Sequence, residues 1–479
     1  MVVVGAGFGG LAAAIRLRRE GVRDVLVLEK EAAPGGTWHV NHYPGAETDA
    51  PSHLYCFTFA GHPWTRTHVR QAELRAYVAE LVRRYDLAPV LRTGVTVRRV
   101  VWDEATDEHV VTLAGGECLR ADAVVSAVGL FARPRVPELP GLADFRGPVL
   151  HTARWDDEVD LTGRRVAVLG TGSSAAQVVP ALAGRAEKVV VFQRQPAWVL
   201  PKGDRDFTPL ERRLYRHAVA WKAHRLLLYA RQNRAELRGA LYRPGTRANR
   251  RAHRRALEFA AEVFAARPDL RAAVTPDHPF GGKRAVLSSG WFEALARDDV
   301  ELVPQAAQKA TPTGLVDSAG RAHEVDAVVL ATGFLATGYL DGLDVVGRHG
   351  LSLHDVWAGE PRAFLGLTVP GFPNFWMLYG PGTNGGLIMS NLQHQAAFAA
   401  KEIGRLRRGV RSIEVRQDVA DRFDRWLQGR IAVTSFASTD NYFRAASGRV
   451  VTQWPDAAIT YAAAALLLRG VSTVGRRRR

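Results

Sequence analysis

Two glycine turns carry the first chemical signal. Gly5-Ala6-Gly7-Phe8-Gly9-Gly10 follows the apolar run Val2-Val3-Val4, and Gly170-Thr171-Gly172-Ser173-Ser174-Ala175 follows Val166-Ala167-Val168-Leu169. Glycines at Gly5, Gly7 and Gly10, and again at Gly170 and Gly172, let backbone approach a pyrophosphate. Its charge then rests on the positive end of the helix that opens next. The residue ending the second strand of each unit discriminates the ligand. Glu29 stands 24 positions after Gly5, and Arg194 stands 24 after Gly170. A carboxylate accepts hydrogen bonds from ribose hydroxyls and repels a 2′-phosphate, whereas a guanidinium pairs with that phosphate. The first turn is therefore expected to hold FAD or NAD and the second NADPH, with Lys283 adding charge at the phosphate. In an arginine-rich chain, an ordinary surface role is the competing reading of Arg194.

Each turn needs a strand before it and a helix and strand after it. The first unit runs from Val2–Val4 through the helical pattern Leu11, Ala14, Ile15, Leu17 to Val25–Leu28; the second ends at Val189–Phe192. These are units of a doubly wound parallel sheet. The expected fold is α/β, with two Rossmann-like dinucleotide-binding domains, the NADP domain inserted into the FAD domain, and a basic helical insertion. The expected boundaries are 1–152 for the first part of the FAD domain and 153–324 for the NADP domain, its helical insertion at 201–275. Residues 325–479 are expected to complete the FAD domain and carry the C-terminal segment. In the insertion, Leu214, Ala218, Trp221, Arg225 and Leu228 are expected to form one face of a helix.

With 479 residues, 47% hydrophobic and 23% charged, the chain can bury more than one core, which excludes disorder and a small stapled fold. Cys56 and Cys118 form no CxxC pair, so a disulfide framework, a cysteine zinc site and a redox dithiol are not expected, nor is any metal site. Electrons passing from a nicotinamide to a flavin must then leave for a diffusible acceptor or dioxygen. The opening residues show no secretory pattern, and Ala457–Leu468 is shorter than the ~20 residues of a spanning helix, so a cytoplasmic protein is expected. The short run before Gly5 suggests that Met1 lies inside a longer natural product. Net charge is +16, concentrated at 201–271, where 18 Lys and Arg face 7 Asp and Glu, and at Arg476–Arg479. A solvated helical cap is favoured over nucleic-acid binding, because no nucleic-acid motif accompanies the charge.

Phe145-Arg146-Gly147-Pro148-Val149-Leu150-His151-Thr152-Ala153-Arg154-Trp155-Asp156 matches the pattern FxGxxxHxxxW(P/D). With Gly35-Gly36-Thr37-Trp38, Tyr43-Pro44-Gly45, Asp49, Phe192-Gln193-Arg194, Lys283-Arg284, Ala331-Thr332-Gly333-Phe334 and the run Pro370 to Pro381, the chain resembles the type I Baeyer-Villiger monooxygenases of the class B flavoproteins. The resemblance implies FAD and NADPH as cofactors, a ketone and dioxygen as substrates, and an ester or lactone formed through a C4a-peroxyflavin. It implies that Gly36, Thr37, Trp38, Asp49 and Tyr55 lie along the flavin, with Val97 under its adenine. Thr171, Gly172, Ser173, Ser174 and Gln177 would ring the NADPH pyrophosphate, although their hydroxyls could equally cap a helix.

From the same resemblance Arg284 is the active-site cation and Asp49 its partner, and Phe145, Gly147, His151, Trp155 and Asp156 form the family fingerprint, of which His151 and Trp155 link domain motion to catalysis. Arginine suits a site that must stay cationic near neutral pH. Two other functions stay open: oxygenation of a nitrogen or sulfur nucleophile, and a flavoprotein that oxidises NADPH without oxygenating a substrate.

Overall fold

The computed structural model describes residues 1–477, so Arg478 and Arg479 of the terminal arginine run lie outside the described residues. Each glycine turn joins a buried strand to a helix. Val2–Val4 leads into Phe8–Arg19, and Arg165–Leu169 into Ala175–Leu182. Strands rich in valine and leucine on both faces suit a parallel sheet covered on both sides, and each unit builds one. The first sheet runs Phe375–Met377, Val124–Ser126, Val2–Val4, Leu26–Leu28, Leu91–Arg92, with every pair parallel. The second runs Val300–Val303, Lys188–Phe192, Arg165–Leu169, Ala327–Leu330, Val149–His151, again all parallel. In both, the glycine turn leaves the carboxyl end of the central strand, where open α/β sheets bind their ligands.

The two-residue period of a strand divides the second core cleanly. Val166, Val168, Val189 and Val191 pack against Val178 and Val179 of the helix. Ala167, Leu169, Val190 and Phe192 point the other way, toward Leu315 and Val325 beside a small antiparallel sheet. The first sheet is covered by Phe8–Arg19, which lies along the late helix Ile388–Leu406.

The second sheet extends past the expected 153–324 at both ends. Val149–His151 and Ala327–Leu330 hydrogen-bond into it, and the chain rejoins the first sheet only at Phe375–Met377. Boundaries at 152 and 325 therefore cut through this sheet. A buried apolar strand fits either parallel sheet equally well, so pattern alone does not assign it.

The insertion is helical, but it breaks at residues 215–217 into Pro209–Leu214 and Ala218–Glu236. Trp221 and Arg225 share a buried face as expected, whereas Leu214 and Ala218 are exposed. Cys56 is buried, Cys118 exposed, and both are free. Among the described residues, no helix is long and apolar enough to cross a membrane.

Candidate active site

The first turn is glycine because backbone packs on backbone. A Cβ on Gly10 would sit 1.8 Å from the Gly5 oxygen, and one on Gly5, at φ +98°, 2.7 Å from the Ala127 oxygen. Gly36, at φ +54°, faces Gly7 so closely that its Cβ would lie 2.9 Å from the Gly7 Cα. No acid occupies the first turn of Phe8–Arg19 and no side chain caps it, leaving its amides to an anionic ligand. Glu29 ends its strand beside the turn, buried. Its Oε2 accepts the Ala6 amide at 2.6 Å and its Oε1 the Glu31 amide at 3.0 Å. These bonds fix the carboxylate beside the glycine turn.

Aromatic side chains continue the cradle from Gly36. Thr37 opens the short helix Thr37–Val40, and the Trp38 indole nitrogen donates to the Tyr55 hydroxyl at 3.0 Å. Their rings meet edge to face at 5.7 Å, and Phe8, from the glycine turn's own helix, meets Tyr55 at 6.0 Å. Val97 is buried at the start of Val97–Asp103; two residues earlier, the Val95 amide donates to the Glu29 oxygen at 2.8 Å. The residues present fit a flavin dinucleotide: a glycine cradle, a ribose carboxylate and an aromatic wall.

In the second unit, Gly170, at φ +124°, is forced by the Ala331 oxygen, 2.5 Å from its added Cβ. A Cβ on Gly172 meets nothing within 4 Å, so this glycine faces the open side of the turn. Neither Ser173 nor Ser174 caps the following helix through its side chain. Thr171 Oγ1 donates to the Gln195 oxygen at 2.9 Å, and the Lys283 ammonium hydrogen-bonds the Gln195 side chain. Burial first, then the like charge of Arg194, lower the Lys283 pKa. Arg194 and Lys283 are thus brought together from positions far apart in sequence. Two cations beside an open glycine turn fit a nicotinamide dinucleotide 2′-phosphate.

The Gln177 side chain is engaged by the first unit. Its Oε1 accepts the Tyr43 hydroxyl at 2.8 Å and its Nε2 donates to the Glu47 oxygen at 3.0 Å. A side-chain amide committed at both ends to the first unit is an interdomain joint. Gly45 belongs to the same joint, because at φ +84° its Cβ would lie 2.3 Å from the Gln177 oxygen. Burial pushes the Tyr43 hydroxyl up to about 12, so it stays a donor.

Arg284 and Asp49 meet across the two units. Nη2 donates to Oδ2 at 2.5 Å, with the arginine side chain still 46% exposed and the aspartate 24%. Asp49 raises the guanidinium pKa against the opposing effect of burial, and Tyr442, Tyr379 and Tyr242 reinforce it. The Tyr55 hydroxyl, raised above all by burial, also feels Asp49 and Arg284, which places the pair beside the aromatic wall of the first cradle.

Sequence reasoning missed Tyr242, Tyr379, Tyr442 and Glu236. Tyr379 donates to Asn384 Oδ1 at 2.7 Å and lies within the run Pro370–Pro381. Glu236 is 3% exposed; its Oε1 accepts Gln232 Nε2 at 2.7 Å and the Tyr242 hydroxyl at 3.4 Å. Its Oε2 has no partner among the described residues, and burial pushes the acid up to about 7. No motif or spacing marks it in the insertion.

The FxGxxxHxxxW(P/D) residues lie where the chain passes between the sheets. Phe145 packs in the second core, and a Cβ on Gly147 would lie 2.1 Å from the Asp326 oxygen. His151 ends a strand of the second sheet, buried, and Nδ1 accepts the Ala153 amide at 3.0 Å. That bond puts the ring proton on Nε2, which meets Thr332 Oγ1 at 3.4 Å. Burial also lowers the pKa of His151, so the ring is neutral. Thr332 donates onward to the Arg135 oxygen at 2.5 Å. His151 thus touches both connections, 130–135 and 331–334, between the units. Trp155 packs in the second core, and Asp156 Oδ1 accepts the Glu158 amide at 3.0 Å in an exposed turn.

Residues 1–238 match the family model described as pyridine nucleotide-disulphide oxidoreductase. A Baeyer-Villiger monooxygenase of Streptomyces coelicolor is 38% identical over 472 residues, 95% of this chain and 88% of that protein. One of Pseudomonas aeruginosa is 37% identical over 463 residues, 95% of this chain and 87% of the relative. Among solved structures, a closed cyclohexanone monooxygenase is similar with a TM-score of 0.88 at 28% identity, covering 100% of this chain and 99% of that one. An oxidised steroid monooxygenase bound to NADP gives 0.88 at 29% identity, with the same coverage. Relatives 37–38% identical over 95% of its length place this chain in the Baeyer-Villiger monooxygenase family.

Proposed function

We propose that the chain converts a ketone, dioxygen, NADPH and a proton into an ester or lactone, NADP+ and water, with FAD in the first cradle and NADPH in the second. The observation that carries this reading is the Arg284–Asp49 pair. It sets a fixed cation at the meeting of the two cradles, beside Trp38 and Tyr55. Likeness to cyclohexanone and steroid monooxygenases supports a carbonyl substrate.

When bound, reduced flavin supplies the electrons that activate dioxygen. The chain's own residues do the rest. Arg284 cannot lose its proton at working pH, and Asp49 holds it in one place, so positive charge stands ready where negative charge develops. Glu29 and the amides of Phe8–Arg19 anchor the first dinucleotide; Arg194 and Lys283 hold the 2′-phosphate of the second. The neutral His151 and Thr332 carry the connection on which one unit moves against the other, so His151 is a positioning residue.

The test measures NADPH consumption and product mass over linear, cyclic and aromatic ketones, set against amines and sulfides. Ester or lactone in proportion to NADPH supports the reading. Oxygenated amine or sulfide with no ester assigns the chain to heteroatom chemistry, and NADPH oxidation without any oxygenated product assigns it to plain oxidation.

A further inference from the structure

The insertion helix Ala218–Glu236 packs Leu228 and Tyr229 against Leu54, Leu387 and Ala458, yet it buries polar side chains and leaves other apolar ones outside. Its buried positions are Trp221, Arg225, Asn233 and Glu236. Arg225 spends its guanidinium on the carbonyl oxygens of His53 and Cys56, and Asn233 bonds Tyr229 and the Ile459 amide. The outward side carries Val219, Leu226 and Leu227, which are 82%, 67% and 56% exposed. Arg234 is exposed between Leu226 and Leu227 around the helix, and Lys222 and Arg231 are exposed at the two margins of that side. The short helix before it adds Leu210 and Leu214, 76% and 50% exposed, beside Arg212 and Arg213. Between residues 207 and 257 the acids are Glu211 and Glu236 alone. The first is held by Arg205 at 2.7 Å, and the second is buried. No free carboxylate interrupts the stripe.

A solvated helix normally turns its apolar side inward and mixes both charges outward. Here leucine and cation share the outward side, which selects the partner. A nucleic acid would use the cations and leave the leucines in water. A second copy, joined by a two-fold axis, would set the same cations against one another with no acid to pair them. An anionic bilayer takes both, since its headgroups attract Lys and Arg while its acyl boundary receives the leucines. We propose that this face docks peripherally on an anionic lipid surface, with Ala218–Glu236 lying in the plane of the interface.

The test is cosedimentation of the FAD-loaded full chain with phosphatidylcholine vesicles, and with vesicles of roughly equal phosphatidylcholine and phosphatidylglycerol, at low and high salt. Binding is expected to the mixed vesicles only, weakened by salt. The double variant Leu226→Glu/Leu227→Glu should reduce the bound fraction at least about tenfold, while melting temperature and turnover of a water-soluble ketone stay unchanged. Failure of the unmodified protein to sediment with mixed vesicles overturns the proposal, and so does binding that survives the double variant, which is adsorption by charge alone. Retention of duplex DNA without vesicle binding overturns it in favour of nucleic acid. A dimer in light scattering that the double variant splits, again without vesicle binding, overturns it in favour of a self-interface.

Discussion

Arg284 and Asp49 lie 235 positions apart in sequence, yet the guanidinium donates to the carboxylate at 2.5 Å across the boundary between the two nucleotide units. The cation needs both units in place. Arg284→Ala should leave anaerobic reduction of bound flavin by NADPH largely intact while ester formation falls on the order of 100- to 1,000-fold, the worth of one preorganised charge at a transition state. Stopped-flow bleaching and product mass spectrometry check this together. An unchanged product yield would remove Arg284 from its role.

Asp49→Ala leaves the charge but frees it to move, so product per NADPH should fall while hydrogen peroxide rises. Asp49→Asn retains an acceptor for Nη2 and should fall between. Peroxide measured alongside NADPH loss tests the order; equal coupling in all three proteins would show that Asp49 positions nothing.

Arg194 and Lys283 converge on the open side of the second glycine turn. Arg194→Ala removes a charge-assisted contact to the 2′-phosphate, so the KM for NADPH should rise about 10- to 100-fold. The KM for NADH, which lacks that phosphate, should hardly change. Parallel shifts for both cofactors would dismiss the phosphate assignment.

Tyr43, Gly45 and Gln177 form a joint in which a single Cβ has no room. Gly45→Ala should separate the units, lowering the melting temperature by several degrees and reducing the gain on adding NADP+. Gln177→Ala loses three hydrogen bonds, each worth about 1 kcal/mol at most, and should show a smaller version of the same change. Thermal melts with and without NADP+ read both.

Glu236 gives stability a pH dependence of known sign. Burial holds its folded pKa at about 7, above its ordinary value, so folding favours the protonated acid. That contribution is complete below the ordinary glutamate pKa and is lost as pH rises through 7. The size is on the order of 3 kcal/mol. Glu236→Gln should flatten the denaturation midpoint between pH 5 and 8, roughly the span of the titration. An unmodified protein whose midpoint does not fall over this range would contradict the assignment.

Both glycine turns, the Glu29 and Arg194 offsets and the two parallel sheets were legible in the residues, because local constraints write them, whereas the Arg284–Asp49 pairing came from the resemblance alone. A turn on which backbone closes admits only glycine, and a strand buried on both faces admits only apolar side chains. Spacing along a strand and helix fixes which residue meets a ribose. Which sheet receives Val149–His151 and Ala327–Leu330 was decided by tertiary packing, since apolar strands of equal length suit either core. Packing also took Gln177 for the joint with Tyr43 and Glu47, buried Glu236 beside Tyr242, and turned Leu226 and Leu227 outward. A side chain's partners across a domain boundary depend on how two separately folded surfaces meet, and no period along the chain encodes that meeting.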